Sequence, residues 1–157
     1  MRLQAILTVG AILTLGSTVA EEFSAIGSFH NVRQSGGEDS HCYGYSLELW
    51  RHNGRVIGLL DRHAGLCGDP PCEALRDVSY EPRAGRLTFT ALEEKFAGTL
   101  RRDDVIGTLG ATRVRLARDS KDPMDAKWDE SFAAWCAFWR TVHRCRGVDE
   151  MCKSAGQ

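Results

Sequence analysis

From Phe23 to Arg118 apolar and polar residues alternate with period two, and turn-forming residues break the alternation at short intervals. In His41–Trp50, Tyr43, Tyr45, Leu47 and Leu49 fall on one face, and Gly44, Ser46, Glu48 and Trp50 on the other. Asn53-Gly54 then predicts a tight hairpin, with Arg55–Arg62 as the return strand. Leu75–Glu81 reads as a strand ending at Pro82, and Arg83-Ala84-Gly85 turns the chain into an alternation of Leu87, Phe89 and Ala91. Phe96–Arg101, Val105–Leu109 and Arg113–Leu116 follow, with Asp103-Asp104 and Gly110-Ala111 as turns. With an opening strand around Gly27-Ser28-Phe29 the pattern predicts about eight strands joined mostly by tight turns.

Three of these strands carry a glycine between apolar neighbours: Gly58, Gly98 and Gly107. Glycine inside a strand marks a bend or a close backbone approach. Repeated bends let a sheet curl, and closing it removes the sticky edges. The predicted fold class is therefore mainly β: an up-and-down antiparallel barrel of about eight strands, in preference to a sandwich.

The regime changes at Asp122-Pro123, a helix cap and a first-turn proline. Trp128, Phe132, Trp135, Trp139 and Val142 recur at helical spacing. They predict one helix over 122–146, packed by its aromatic stripe on the barrel and ended at Gly147.

The first residues form a different segment. Arg2 precedes an apolar run from Ala5 to Leu15, and small residues follow up to Ala20. This is the layout of a cleavable signal peptide over residues 1–20, leaving residues 21–157 as one domain. The run is too short to span a bilayer, so no membrane insertion is expected after cleavage. The expected location is the periplasm or the exterior. Loss of Arg2 makes the formal charge of −1 one unit more negative, which argues against nucleic acid as a partner.

All six cysteines, Cys42, Cys67, Cys72, Cys136, Cys145 and Cys152, follow the leader. An even number in an exported chain implies disulfides. The short turn Cys67-Gly68-Asp69-Pro70-Pro71-Cys72 predicts a local bridge. Cys136 and Cys145, on one helix, would stand about 13 Å apart and cannot pair. Cys145 then reaches Cys152 across Gly147, and Cys42 is left for Cys136. The grouping of His41, Cys42, His63, Cys67 and Cys72 has zinc-type ligands but no zinc-type spacing, so neither metal nor cofactor is expected.

Eight strands followed by a helix resemble the calycin architecture of lipocalin-like proteins, and Gly27-Ser28-Phe29 resembles the lipocalin Gly-x-Trp signature with Phe in place of Trp. The resemblance covers the chain from about Phe23 to Gly147 in order of elements, and it implies a binder of small apolar molecules. Small exported bacterial barrels that inhibit host lysozymes share this build, but their inhibitory motif is not found in the chain.

Three functions follow. The first is a small-molecule binder whose barrel interior is lined by Tyr43, Tyr45, Leu47, Leu87, Phe89, Phe96 and Leu100; the same residues alternatively fill the barrel. The second is a protein-interaction module or inhibitor acting through loops 35–41 and 65–72. The third is a hydrolase built on His41, His52 or His63, with Ser40, Asp61 and the Glu93-Glu94 pair as further candidates. No nucleophile elbow, zinc-protease or phosphate-loop motif accompanies them. The expected function is non-enzymatic binding.

Overall fold

The computed structural model describes residues 22–36, 40–68, 70–120, 131–141 and 145–156. The predicted signal peptide lies outside them. The strands are β1 (Phe23–His30), β2 (Arg33–Ser35), β3 (His41–His52), β4 (Arg55–Leu66), β5 (Cys72–Ala74), β6 (Arg76–Glu81), β7 (Arg86–Ala91), β8 (Glu94–Leu100), β9 (Asp104–Leu109) and β10 (Thr112–Arg118). Two helices follow, α1 (Phe132–Thr141) and α2 (Val148–Ala155).

All pairings in the sheet are antiparallel, in the order β5-β4-β3-β1-β10-β9-β8-β7-β6, with β2 added to β3. The two ends of this path, β5 and β6, are separated in the chain only by Leu75. At that residue the chain leaves β4 and joins β7, so the ends of the sheet meet. The result is a nearly closed antiparallel barrel with a packed C-terminal helical region, consistent with the calycin-like order of elements.

The strand count differs from the expected eight. Ten strands form because Cys72–Ala74, at the end of the expected 65–72 loop, adds β5 ahead of the expected 75–81 strand, now β6, and because the polar segment Arg33–Ser35 adds β2. Asp104, read as a turn residue, instead opens β9 and is buried, with its Oδ2 accepting from Arg115 Nε at 3.0 Å. The single helix over 122–146 is also corrected. Helix α1 ends at Thr141, and left-handed Gly147 (φ 81°) opens α2 rather than ending a long helix. Residues 122–130 and 142–144, with Trp128 and Val142, lie outside the described residues. No helix among the described residues is long and apolar enough to cross a membrane.

Two cores sit on opposite faces of the sheet. The inner one gathers Phe29, Leu47, Leu49, Leu60, Leu87, Phe89 and their neighbours. The outer one joins Trp50, Ile57 and Leu59 to Phe132, Trp135, Trp139 and Met151 of the helices. The alternation read from β3 is kept, with Leu47 and Leu49 inward and Trp50 outward. The mid-strand glycines serve close approach. Gly98 and Gly107 are cross-strand partners, and a Cβ on either would lie 2.6 or 2.7 Å from Cζ of Phe96. A Cβ on Gly58 would press on Leu49 and Leu75 at 2.8 and 2.9 Å.

All six cysteines are bridged, but none of the three expected pairings forms. The bridges are Cys42–Cys67, Cys72–Cys145 and Cys136–Cys152. Cys67 closes the end of the β3–β4 ladder because β4 runs on to Leu66 opposite His41. Cys72 starts β5, which carries it away from Cys67 and beside Cys145. Cys145 is not helical, so it frees Cys136 to join α1 to α2 through Cys152.

Removing each bridge by paired Cys→Ala changes should destabilise the chain most for Cys72–Cys145. Its partners are 73 residues apart, and chain entropy assigns about 4 kcal/mol against about 3 kcal/mol for Cys136–Cys152, 16 residues apart. Urea unfolding of the three variants checks the order. Gly98→Ala, which overfills the space over Phe96, should cost about 1–3 kcal/mol in the same assay.

Candidate functional site

The predicted interior residues mostly come together. Leu47, Leu87, Phe89, Phe96 and Leu100 are buried in the inner core, and Tyr45 packs half-buried against it. Phe89 and Phe96 stack across β7 and β8, with ring centroids 4.7 Å apart. Tyr43 is the exception. It is 53% exposed, because beyond Ser46 β3 no longer pairs with β1 but with β2, which carries it past the barrel wall.

That extension is a three-stranded ribbon built from β2 and the far ends of β3 and β4. On one of its faces lie Arg33, Tyr43 and Ala64 in one row and Ser35, His41 and Leu66 in the next. Leu66 is 73% exposed, and it and Tyr43 are the exposed large hydrophobics among the described residues. The His41 ring lies parallel to Tyr43, with centroids 6.3 Å apart. Cys42–Cys67 ties the end of the ribbon and Asn31 fixes its base, where its Oδ1 accepts from the Tyr45 N–H at 2.8 Å. Gly44 (φ 129°) is required there, since a Cβ would meet Asn31 Oδ1 at 2.7 Å. The loops singled out in the sequence, 35–41 and 65–72, flank this ribbon, although residues 37–39 and 69 lie outside the described residues.

The outer face of the β1–β3–β4 wall carries a polar row. His30, Ser46 and Asp61 are successive cross-strand partners, and Ser46 Oγ lies 3.1 Å from His63 Nε2. Burial holds the Asp61 carboxyl up at about 6. Burial, and then the neighbouring His30, lower the His63 imidazole from its usual range. His30 in turn lies 3.5 Å from Asp119. The histidines of the hydrolase reading do not converge. His52 is buried and stacked on Phe132 at 4.0 Å, whereas His41 sits on the ribbon. The Glu93-Glu94 pair divides between a left-handed turn residue (Glu93, φ 61°) and the start of β8. Among the described residues no group of three or more His, Cys, Asp or Glu side chains is placed to hold a metal ion.

A third feature surrounds the Leu75 crossing. A cleft of about 630 Å³ opens between the start of β4, β6 and α2. Above it the buried carboxylate of Glu73 accepts from Arg146 at 2.8 Å, from Arg76 at 3.2 Å and from the Leu92 N–H at 2.9 Å. Arg146 also reaches Glu93 at 2.7 Å, and the hydrogen bond to Glu93 and then the charge of Glu73 raise the guanidinium pKa further. Neither Glu73 nor Arg146 was singled out by the sequence pattern. The available signal was the pair of dipeptides Cys72-Glu73 and Cys145-Arg146, which carry opposite charges beside cysteines that bond each other.

No family model, no curated protein and no solved structure matches the chain.

Asp61→Asn should stabilise the protein at pH 7. The folded state holds the proton more tightly than the unfolded chain, whose carboxyl titrates at 3.8, so stability falls as pH rises from about 4 to about 6 and stays low above. The expected gain is on the order of 2 kcal/mol, and the Asp61→Asn variant should lose this pH slope. Denaturant unfolding at pH 4 and pH 7 measures both.

Proposed function

We propose that this chain is an exported, non-enzymatic protein-binding module that acts through the β2–β3–β4 ribbon. The observation that carries this reading is the exposure of Tyr43 and Leu66 on one face of a disulfide-braced ribbon. Exposed large apolar side chains grouped on a rigid element mark interaction sites, and a pre-ordered ribbon loses little entropy on binding. Arg33 and Arg62 lie on the same face, and neither has an ion-pair partner among the described residues. The partner surface is therefore apolar at its centre and acidic at its rim.

A second reading, the binding of a small apolar molecule in the inner core, draws on the aromatic lining by Phe29, Phe89 and Phe96. Against it stands the packing of that core, where even a methyl group at Gly98 has no room.

A photo-crosslinking residue at position 43 or 66, in the protein as it stands in its own compartment, should capture one protein repeatedly. The same residue at exposed Arg83, in the β6–β7 turn, should not. Changing Arg33 and Arg62 to Glu should weaken the capture at least tenfold. Equal capture from position 83 rejects the ribbon. A native mass spectrum showing an added few hundred daltons, with no crosslinked protein, moves the function to the core.

A further inference from the structure

The Leu75 crossing leaves two gaps in the barrel wall, and they differ in one respect. β5 pairs with β4 and leaves its other side open; β6 pairs with β7 and leaves the side toward β4 open. The gap beside β5 is filled by the chain itself. Residue Arg146 forms a parallel bridge with Glu73, accepting from the Ala74 N–H at 2.8 Å and donating its own N–H to Cys72 O at 3.0 Å. The gap beside β6 is the cleft of about 630 Å³, and no ladder joins Arg55–Ile57 to β6.

We propose that this second gap is a binding site for a short extended peptide with consecutive apolar residues, which enters as an added strand. The backbone of β4 supplies the first reason. The Leu75 N–H donates to Gly58 O at 2.9 Å, so Gly58 turns its polar groups away from β3. Groups two residues apart on a strand share a direction, so the N–H and C=O of Val56 point into the seam. An added extended backbone pairs with both of these groups at once.

Backbone strain supplies the second reason. Asp77 is left-handed (φ 51°), and the β6–β7 register shifts between Arg76 and Ser79. This bulge bends β6 at the seam, and no ladder joins it to β4 there.

The walls supply the third. On the barrel side the cleft ends on Val56, Leu75 and Val78, which belong to the inner core. On the helix side it ends on Ile57, Met151 and Ala155, which belong to the outer core. A strand between them meets apolar surface on both faces, and strands buried on both faces are runs of apolar residues rather than alternating ones. Arg55 and Asp77 at the rim suit polar residues on either side of that run.

The test uses the purified full chain and a pentapeptide Lys-Val-Ile-Val-Lys blocked at both ends, beside the same peptide N-methylated at its central Ile. The plain peptide should bind saturably and slow hydrogen exchange at the Val56 amide at least tenfold. The N-methylated peptide should bind at least tenfold more weakly, and Ala155→Trp, which fills the cleft from α2, should abolish binding. Equal binding of the two peptides makes the cleft a site for small apolar molecules and overturns strand addition. Absence of binding at millimolar peptide, or binding retained in the Ala155→Trp variant, also overturns it. A Val56 amide already protected without peptide, and released when residues 1–20 are removed, assigns the seam to the leader of the same chain and overturns an external peptide. None of these outcomes involves Tyr43 or Leu66, so the ribbon stands or falls separately.

Discussion

A curled sheet has two ends, and in this chain a single residue brings them together. Leu75 lies between a strand committed to β4 and a strand committed to β7. A crossing that abrupt leaves backbone groups and a buried carboxylate without the neighbours a regular barrel supplies. The carboxylate of Glu73 is buried and would be costly alone. Arg146, Arg76 and the Leu92 N–H satisfy it. Through Arg146 the C-terminal segment becomes part of the wall, with α1 and α2 covering the outer aromatic core beside it. The arrangement of the helices, the Cys72–Cys145 disulfide and the cleft all follow from how this crossing is completed.

The two faces of the β3–β4 wall divide the remaining roles. Inward, the side chains fill the barrel until glycine is the residue that fits at positions 58, 98 and 107. Outward, the same strands carry tryptophan and isoleucine beneath the helices, then a polar row at His30, Ser46 and Asp61. Past Ser46 the strands leave the barrel, and inward-pointing positions become surface. Tyr43 has the alternation of a core residue and the exposure of a contact residue, which is why its register alone does not reveal its role.

Much of this was legible in the sequence. Period-two alternation located the main strands, Asn53-Gly54 located the longest hairpin, and the spacing of Phe132, Trp135 and Trp139 located the buried stripe of α1. These are local signals. The failures are long-range. Cysteine pairing depends on which strand ends meet, and Cys72 joins Cys145 because β5 pairs with β4 on one side and takes Arg146 on the other. β2 is three residues long and has no apolar alternation to betray it. Gly147 reads equally well as the end of one helix or the start of the next, and only its partners decide. The ribbon loops were recognised as candidates, but the seam was not, since an unpaired edge is a property of topology and leaves no mark in composition.

The disulfide pattern also shapes how the chain reaches this state. Cys67 and Cys72, five positions apart in sequence, meet soonest in an unfolded chain, because short loops close at least entropic cost. The native bridges instead span 16, 25 and 73 positions. A bridge between Cys67 and Cys72 would leave Cys42 and Cys145 without their native partners. Escape from it requires a thiolate to attack that bridge, on the timescale of seconds to hours that reshuffling takes. The yield of folded protein thus depends on an isomerising redox environment as well as an oxidising one.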